Sequence, residues 1–145
     1  MARNVIDHTQ AWSEQRVPAQ ARALLRRADA ELLAAQFSAE AWEKFTHAHL
    51  AALRAGAALV AVRRPPARRG GPRTVWQLLD VVAPELERWI GYFADGASLR
   101  AAVEAGRFDL VSDERAEDAV CAAEDFVDAV RRCLAEESPL LTRAS

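Results

Sequence analysis

Lysine is all but missing from this chain of 145 residues: Lys44 is the only one, and every other basic side chain apart from three histidines is an arginine. The formal net charge is −2. No global excess of positive charge therefore marks a general binder of nucleic acid or of an anionic membrane. Long apolar runs are missing too. The longest, Ala55 to Val62, is bracketed by Arg54 and Arg63 and is too short to cross a bilayer. No basic start followed by an apolar stretch marks a secretory leader, so a cytoplasmic protein without membrane contact is expected. Cysteine is scarce. Cys121 and Cys133 fall in one expected helix, about 18 Å apart, and cannot bond to each other. They are expected as reduced, mostly buried thiols. The phosphate-loop, dinucleotide-binding, nucleophile-elbow and CxxC motifs are all absent, so no cofactor is expected.

What is present is helical periodicity, and alanine and arginine in abundance, which reads as codon bias. The length suits one domain able to bury a core without disulfides or metals. After an N-terminal arm (1–17), a first helix opens at Pro18 and runs to about Gln36, with Ala21, Leu24, Leu25, Ala28, Leu32 and Ala35 on one face. Ser38 is expected to cap a second helix that runs to about Arg64, where Pro65 and Pro66 stop it. Its apolar stripe is Trp42, Phe45, His49, Leu53, Gly56 and Val60. A third helix starts at Thr74 and carries Leu79, Val82, Leu86, Trp89, Ile90 and Phe93, in phase across Pro84; a kink or break is expected there. A short helix precedes Gly106. Ser112 caps a last helix with acids in its first turns and Phe126 on its core face. The expected architecture is an all-α, antiparallel bundle of four to five helices over 18–137, with a C-terminal tail (138–145).

The sequence offers few chemical leads. In FTHAHLAALRAG, residues 45–56, His47 and His49 point about 200° apart around a helix, so they do not share a metal, and no metal site is expected. His49 lies on the apolar stripe and is expected in the core or at an interface, hydrogen-bonded to a neighbouring helix or to a tryptophan N–H. His47 and Arg54 lie on one outer face and are a weak anion-binding pair. Arg63, Arg64, Arg68, Arg69 and Arg73 have no acid between them and form a candidate phosphate-binding loop, though no aromatic residue is interleaved for stacking. Trp42, Trp76 and Trp89 are expected as core anchors. The carboxylates at the start of the last helix already serve its dipole.

A helix carrying AHLAALRAGAAL, then a proline and arginine loop, then WQLLDVVAPELERWIGYFADGASLRAAVEAG and a last acid-capped helix, resembles the small stand-alone HEPN-domain proteins of actinobacteria. The resemblance spans roughly 18–137. It implies a four- or five-helix bundle, often homodimeric, in a superfamily tied to RNA, nucleotides and nucleotidyltransferase partners. Active ribonucleases of that superfamily carry Arg-x(4–6)-His late in the domain, where arginine holds phosphate and histidine assists attack by the 2′-OH. Here that order occurs only in RNVIDH, Arg3 to His8, within the arm; HLAALR, His49 to Arg54, is reversed. The expectation is a non-catalytic module that binds a protein partner or RNA or nucleotide. The alternative is a metal-independent ribonuclease using His47 with Arg54, or His8 with Arg3.

Overall fold

A computed structural model describes residues 17–67, 70, 71 and 73–143, the side chains of 138–143 excepted. Arg3, His8, Trp12, Arg68 and Arg69 lie outside the described residues. Every regular element is helical: α1 (Ala19–Phe37), α2 (Ala41–Arg63), α3 (Val75–Val82), α4 (Glu87–Asp95), α5 (Ala97–Glu104) and α6 (Asp113–Arg143), with 3₁₀ turns at Pro84–Leu86 and Phe108–Leu110. With α3 and α4 taken as one broken helix, this is the expected all-α bundle.

The boundaries follow local chemistry, with one correction. Ser38 does not cap α2. It stands two residues ahead of the N-cap position, which Glu40 occupies without a side-chain bond. Its hydroxyl instead donates to the Ala34 carbonyl at 2.8 Å, and its N–H to the Ala35 carbonyl at 3.3 Å, closing the free end of α1. Arg64 ends α2 in a left-handed conformation, φ 44° and ψ 85°, and Pro65 beyond it bars the helix from continuing. Thr74 and Gln77 form a reciprocal capping box at the start of α3: Thr74 Oγ1 accepts from the Gln77 N–H at 3.1 Å, and Gln77 Oε1 from the Thr74 N–H at 2.9 Å. At Pro84 the helix breaks rather than bends, through Ala83 at φ −142°, ψ 57°. Leu79, Leu86, Ile90 and Phe93 nevertheless remain buried on one side, so the hydrophobic stripe survives the break. Ser112 Oγ accepts the Arg115 N–H at 3.0 Å, and α6 follows, helical to Arg143.

α2 is the axis of the bundle. It packs along α1 on one side and α6 on another, and α3 and α5 close over its remaining face. The seams beside it are built from alanine: Ala21, Ala28 and Ala35 of α1 and Ala48, Ala51, Ala52, Ala55 and Ala58 of α2 are fully buried. Such small side chains let helix axes approach to the near end of the usual range. The larger volume sits where α2 meets α3, α4 and α6. There Phe45, Trp76, Phe93 and Phe126 form a connected ring cluster, each member worth about 1.5–3 kcal/mol in burial. By length and a mean hydropathy of 1.3, α2 alone among the described helices is long and apolar enough to cross a membrane. Here half of that stretch is covered by its neighbours. Ion pairs at the surface join the layers, Lys44 to Glu117 at 2.6 Å and Arg131 bidentate to Asp29 at 2.8 and 2.6 Å.

Candidate functional site

Gly56 determines how closely α3 lies on α2. A Cβ there would stand 2.8 Å from Leu79 Cδ1 and 3.0 Å from Val75 Cγ1. With no side chain in the way, α3 settles against α2 and brings Thr74 and Trp76 beside His49, one stripe position before Leu53. α5 then lies across the opening. The result is a cavity of about 240 Å³ between α2, the start of α3, and α5. Its polar lining is His49, Thr74, Arg100 and Glu104; its apolar walls are Leu53, Trp76, Ala97 and Ala101.

His49 is 2% exposed. The sequence led us to expect a hydrogen bond to a neighbouring helix or to a tryptophan N–H; the imidazole makes neither among the described residues. It packs through its ring instead, edge-on to Phe93 with centroids 5.7 Å apart and to Trp76 at 6.1 Å, and tilted against Phe45 at 6.1 Å. Burial pushes its pKa down, and Arg100 and Arg115 add repulsion, to about 4. At neutral pH it is an uncharged ring with one donor and one acceptor nitrogen. Arg100 Nε donates to Glu104 Oε1 at 3.1 Å, a pairing of residues one turn apart on α5. Arg115 lies on the other side of the ring cluster. Its guanidinium is 5.0 Å from the centroids of both Phe45 and Tyr92, and Nη1 donates to the Tyr92 hydroxyl at 2.5 Å.

The other leads disperse. His47 Nδ1 donates to Glu31 Oε2 of α1 at 2.6 Å, so the ring ties two helices together. Arg54 shares its face of α2 but makes no contact of this kind among the described residues. Arg63 leaves the arginine loop altogether. It is the last residue of α2, and its guanidinium bonds Glu137 from Nε at 2.7 Å, Glu85 from Nη1 at 2.5 Å, and the Val82 carbonyl at 2.7 Å. Burial works against that charge, and the two carboxylates outweigh it, holding the pKa above the usual arginine value. The sequence showed no acid near Arg63 because both partners are distant in the chain. Arg64 is exposed at the helix end, and Arg73 Nη2 donates to the Pro66 carbonyl at 3.1 Å, bracing the loop across its base.

Among the expected anchors, Phe45, Trp76, Leu86 and Phe126 are buried. Trp42 is only half-buried and stacks on the partly exposed Phe108, with centroids 4.2 Å apart. Trp89 is likewise half-buried, between Arg88 at 4.6 Å and Phe126 at 6.3 Å. Sequence reasoning missed Arg100, Glu104 and Thr74 as neighbours of His49. Their spacing on α5 and at a helix start was legible, but nothing local says that α5 crosses α2 at this point. Among the described residues, no three histidine, cysteine or carboxylate side chains converge as a metal site would require.

A family model described as SAV_6107-like HEPN matches residues 34–131, more than half of the chain. No curated protein and no solved structure matches.

Proposed function

The chain belongs to the SAV_6107-like HEPN family, and on that premise we propose that it is a cytoplasmic module that works by binding RNA, a nucleotide or a protein partner, and not by cutting RNA. The observation that carries this reading is the state of the two histidines of α2. His47 is occupied by Glu31. His49 is buried and, at a pKa of about 4, a weak base far from the range suited to general acid–base work at neutral pH. The cavity before it, about 240 Å³, is smaller than a drug-sized pocket.

The test is one preparation in two assays. Single-stranded RNA is incubated with the protein and run for cleavage, and binding is measured across a salt series. The expected result is intact RNA. If RNA is the ligand, affinity falls steeply with salt, and Arg64→Ala with Arg73→Ala flattens the slope by about one to two contacts. Cleavage that disappears in His47→Ala, His49→Leu or His8→Ala overturns the reading in favour of a ribonuclease with an unusually placed pair.

A further inference from the structure

We propose that the cavity between α2, α3 and α5 is a site for an uncharged, planar nitrogen heterocycle, recognised by His49 at its floor. This rests on the reading of the bundle as a binding module and names the chemistry of one ligand.

The case begins with His49 itself. It is a polar side chain at 2% exposure that lines a cavity and has no hydrogen-bond partner among the described residues. Its ring nitrogens are not sealed away from the cavity, so whatever fills that space, water or a ligand, can bond them. A metal ion is a poor candidate, since no second histidine, cysteine or carboxylate set converges with it. The neutral ring presents one N–H and one lone pair, which matches a ligand carrying an acceptor and a donor side by side.

The walls restrict the ligand further. At about 240 Å³ the cavity lies below the range of drug-sized pockets and suits one ring or two fused rings. Ala97 and Ala101, one turn apart on α5, make a wall without side-chain bulk, and Trp76 and Leu53 supply the remaining apolar surface. Charge at the mouth is balanced, because Arg100 and Glu104 are paired. An anion meets the Glu104 carboxylate and a cation meets the Arg100 guanidinium, whereas a neutral ring meets neither penalty. Thr74 Oγ1 already accepts from the Gln77 N–H and keeps its own O–H to donate. The same ring chemistry belongs to a free heterocycle and to a base at the end of a single-stranded oligonucleotide.

The experiment is a calorimetric titration of the full chain with adenine, cytosine and nicotinamide in turn, and with inorganic phosphate and acetate as charged probes. The rim variant Ala101→Phe plugs the cavity from an exposed position and is expected to fold as the parent does. His49→Leu removes the recognising group, and ¹⁵N resonances of His49 report engagement directly. Expected is saturable one-to-one binding of at least one heterocycle, a shifted His49 ring nitrogen, and a loss of about tenfold or more in affinity in both variants. A single-stranded oligonucleotide that competes with the free ring identifies RNA as the source, and one that does not compete identifies a small molecule; both sustain the proposal. Tighter binding of phosphate or acetate overturns it, as does heterocycle binding unchanged in Ala101→Phe, or no binding at millimolar concentration. Salt-dependent RNA binding that survives in Ala101→Phe, with no heterocycle bound, removes this inference and leaves the binding reading standing. RNA cleavage removes the reading, while the titration judges the cavity separately.

Discussion

Lowering the pH from 6.5 towards 4 destabilises this protein through a single ring, His49. The unfolded chain holds its imidazole at the ordinary 6.5; the fold holds it at about 4, first by burial and then by repulsion from Arg100 and Arg115. The folded value is depressed, so the native state binds fewer protons than the unfolded one throughout that window. The stability is fully present above pH 6.5, is lost as pH falls, and has gone below about pH 4. Each pH unit between the two values is worth about 1.4 kcal/mol, which makes the full loss about 3 kcal/mol, a large part of the 5–15 kcal/mol typical of a domain. Carboxylates also titrate near the acid end, so the measurement is a difference. Urea melts of the parent and of His49→Leu are compared at intervals from pH 7.5 to 4. The variant carries some constant offset from repacking. Its advantage over the parent should grow by about 3 kcal/mol on acidification, and NMR titration should place the parent ring near pH 4. A difference that stays flat across the window, or a His49 that titrates near 6.5, refutes the burial and charge argument.

Two further outcomes follow from the packing. Gly56→Ala should destabilise the protein by about 1 kcal/mol by chemical melt: alanine gains about 1 kcal/mol in helix propensity, but its methyl meets Leu79 and Val75 at distances that force α3 outward, and overpacking costs about 1–3 kcal/mol. A more stable variant would show that α3 has slack. Arg63→Met should lose about 2 kcal/mol in the same assay, less than for a fully buried pair because Glu85 is about half exposed; adding Glu137→Met should recover part of it. Additive losses in the double variant would deny the coupling.

The helices were legible because their signals are local. The stripe of α2, the start of α3 at Thr74 and the stop at Gly106 each involve residues within a few positions of one another. The correction at Ser38 marks the limit of that logic, since a serine two residues before an N-cap position is as able to close the helix behind it. The candidate site was legible only in part. His49 was placed in the core or at an interface from its phase, but its neighbours come from α3 and α5, and no residue of α2 announces them. Arg63 fails for the same reason in the opposite direction. It looks like the first charge of a basic loop until Glu85 and Glu137 arrive from elsewhere in the chain. Trp42 and Trp89 show that being on the right stripe does not guarantee depth near the end of a helix.

The alanine seam along α2 has a consequence for how this protein can be dissected. Alanine scanning locates important contacts by deletion, and the eight fully buried alanines of α1 and α2 offer it no side chain beyond Cβ to delete. A scan would pass over the axis of the bundle in silence and assign its stability to the aromatic cluster alone. Only additions speak there: a methyl, then an ethyl, then a branched group, placed one position at a time, would chart how much separation the two helices tolerate before the bundle opens.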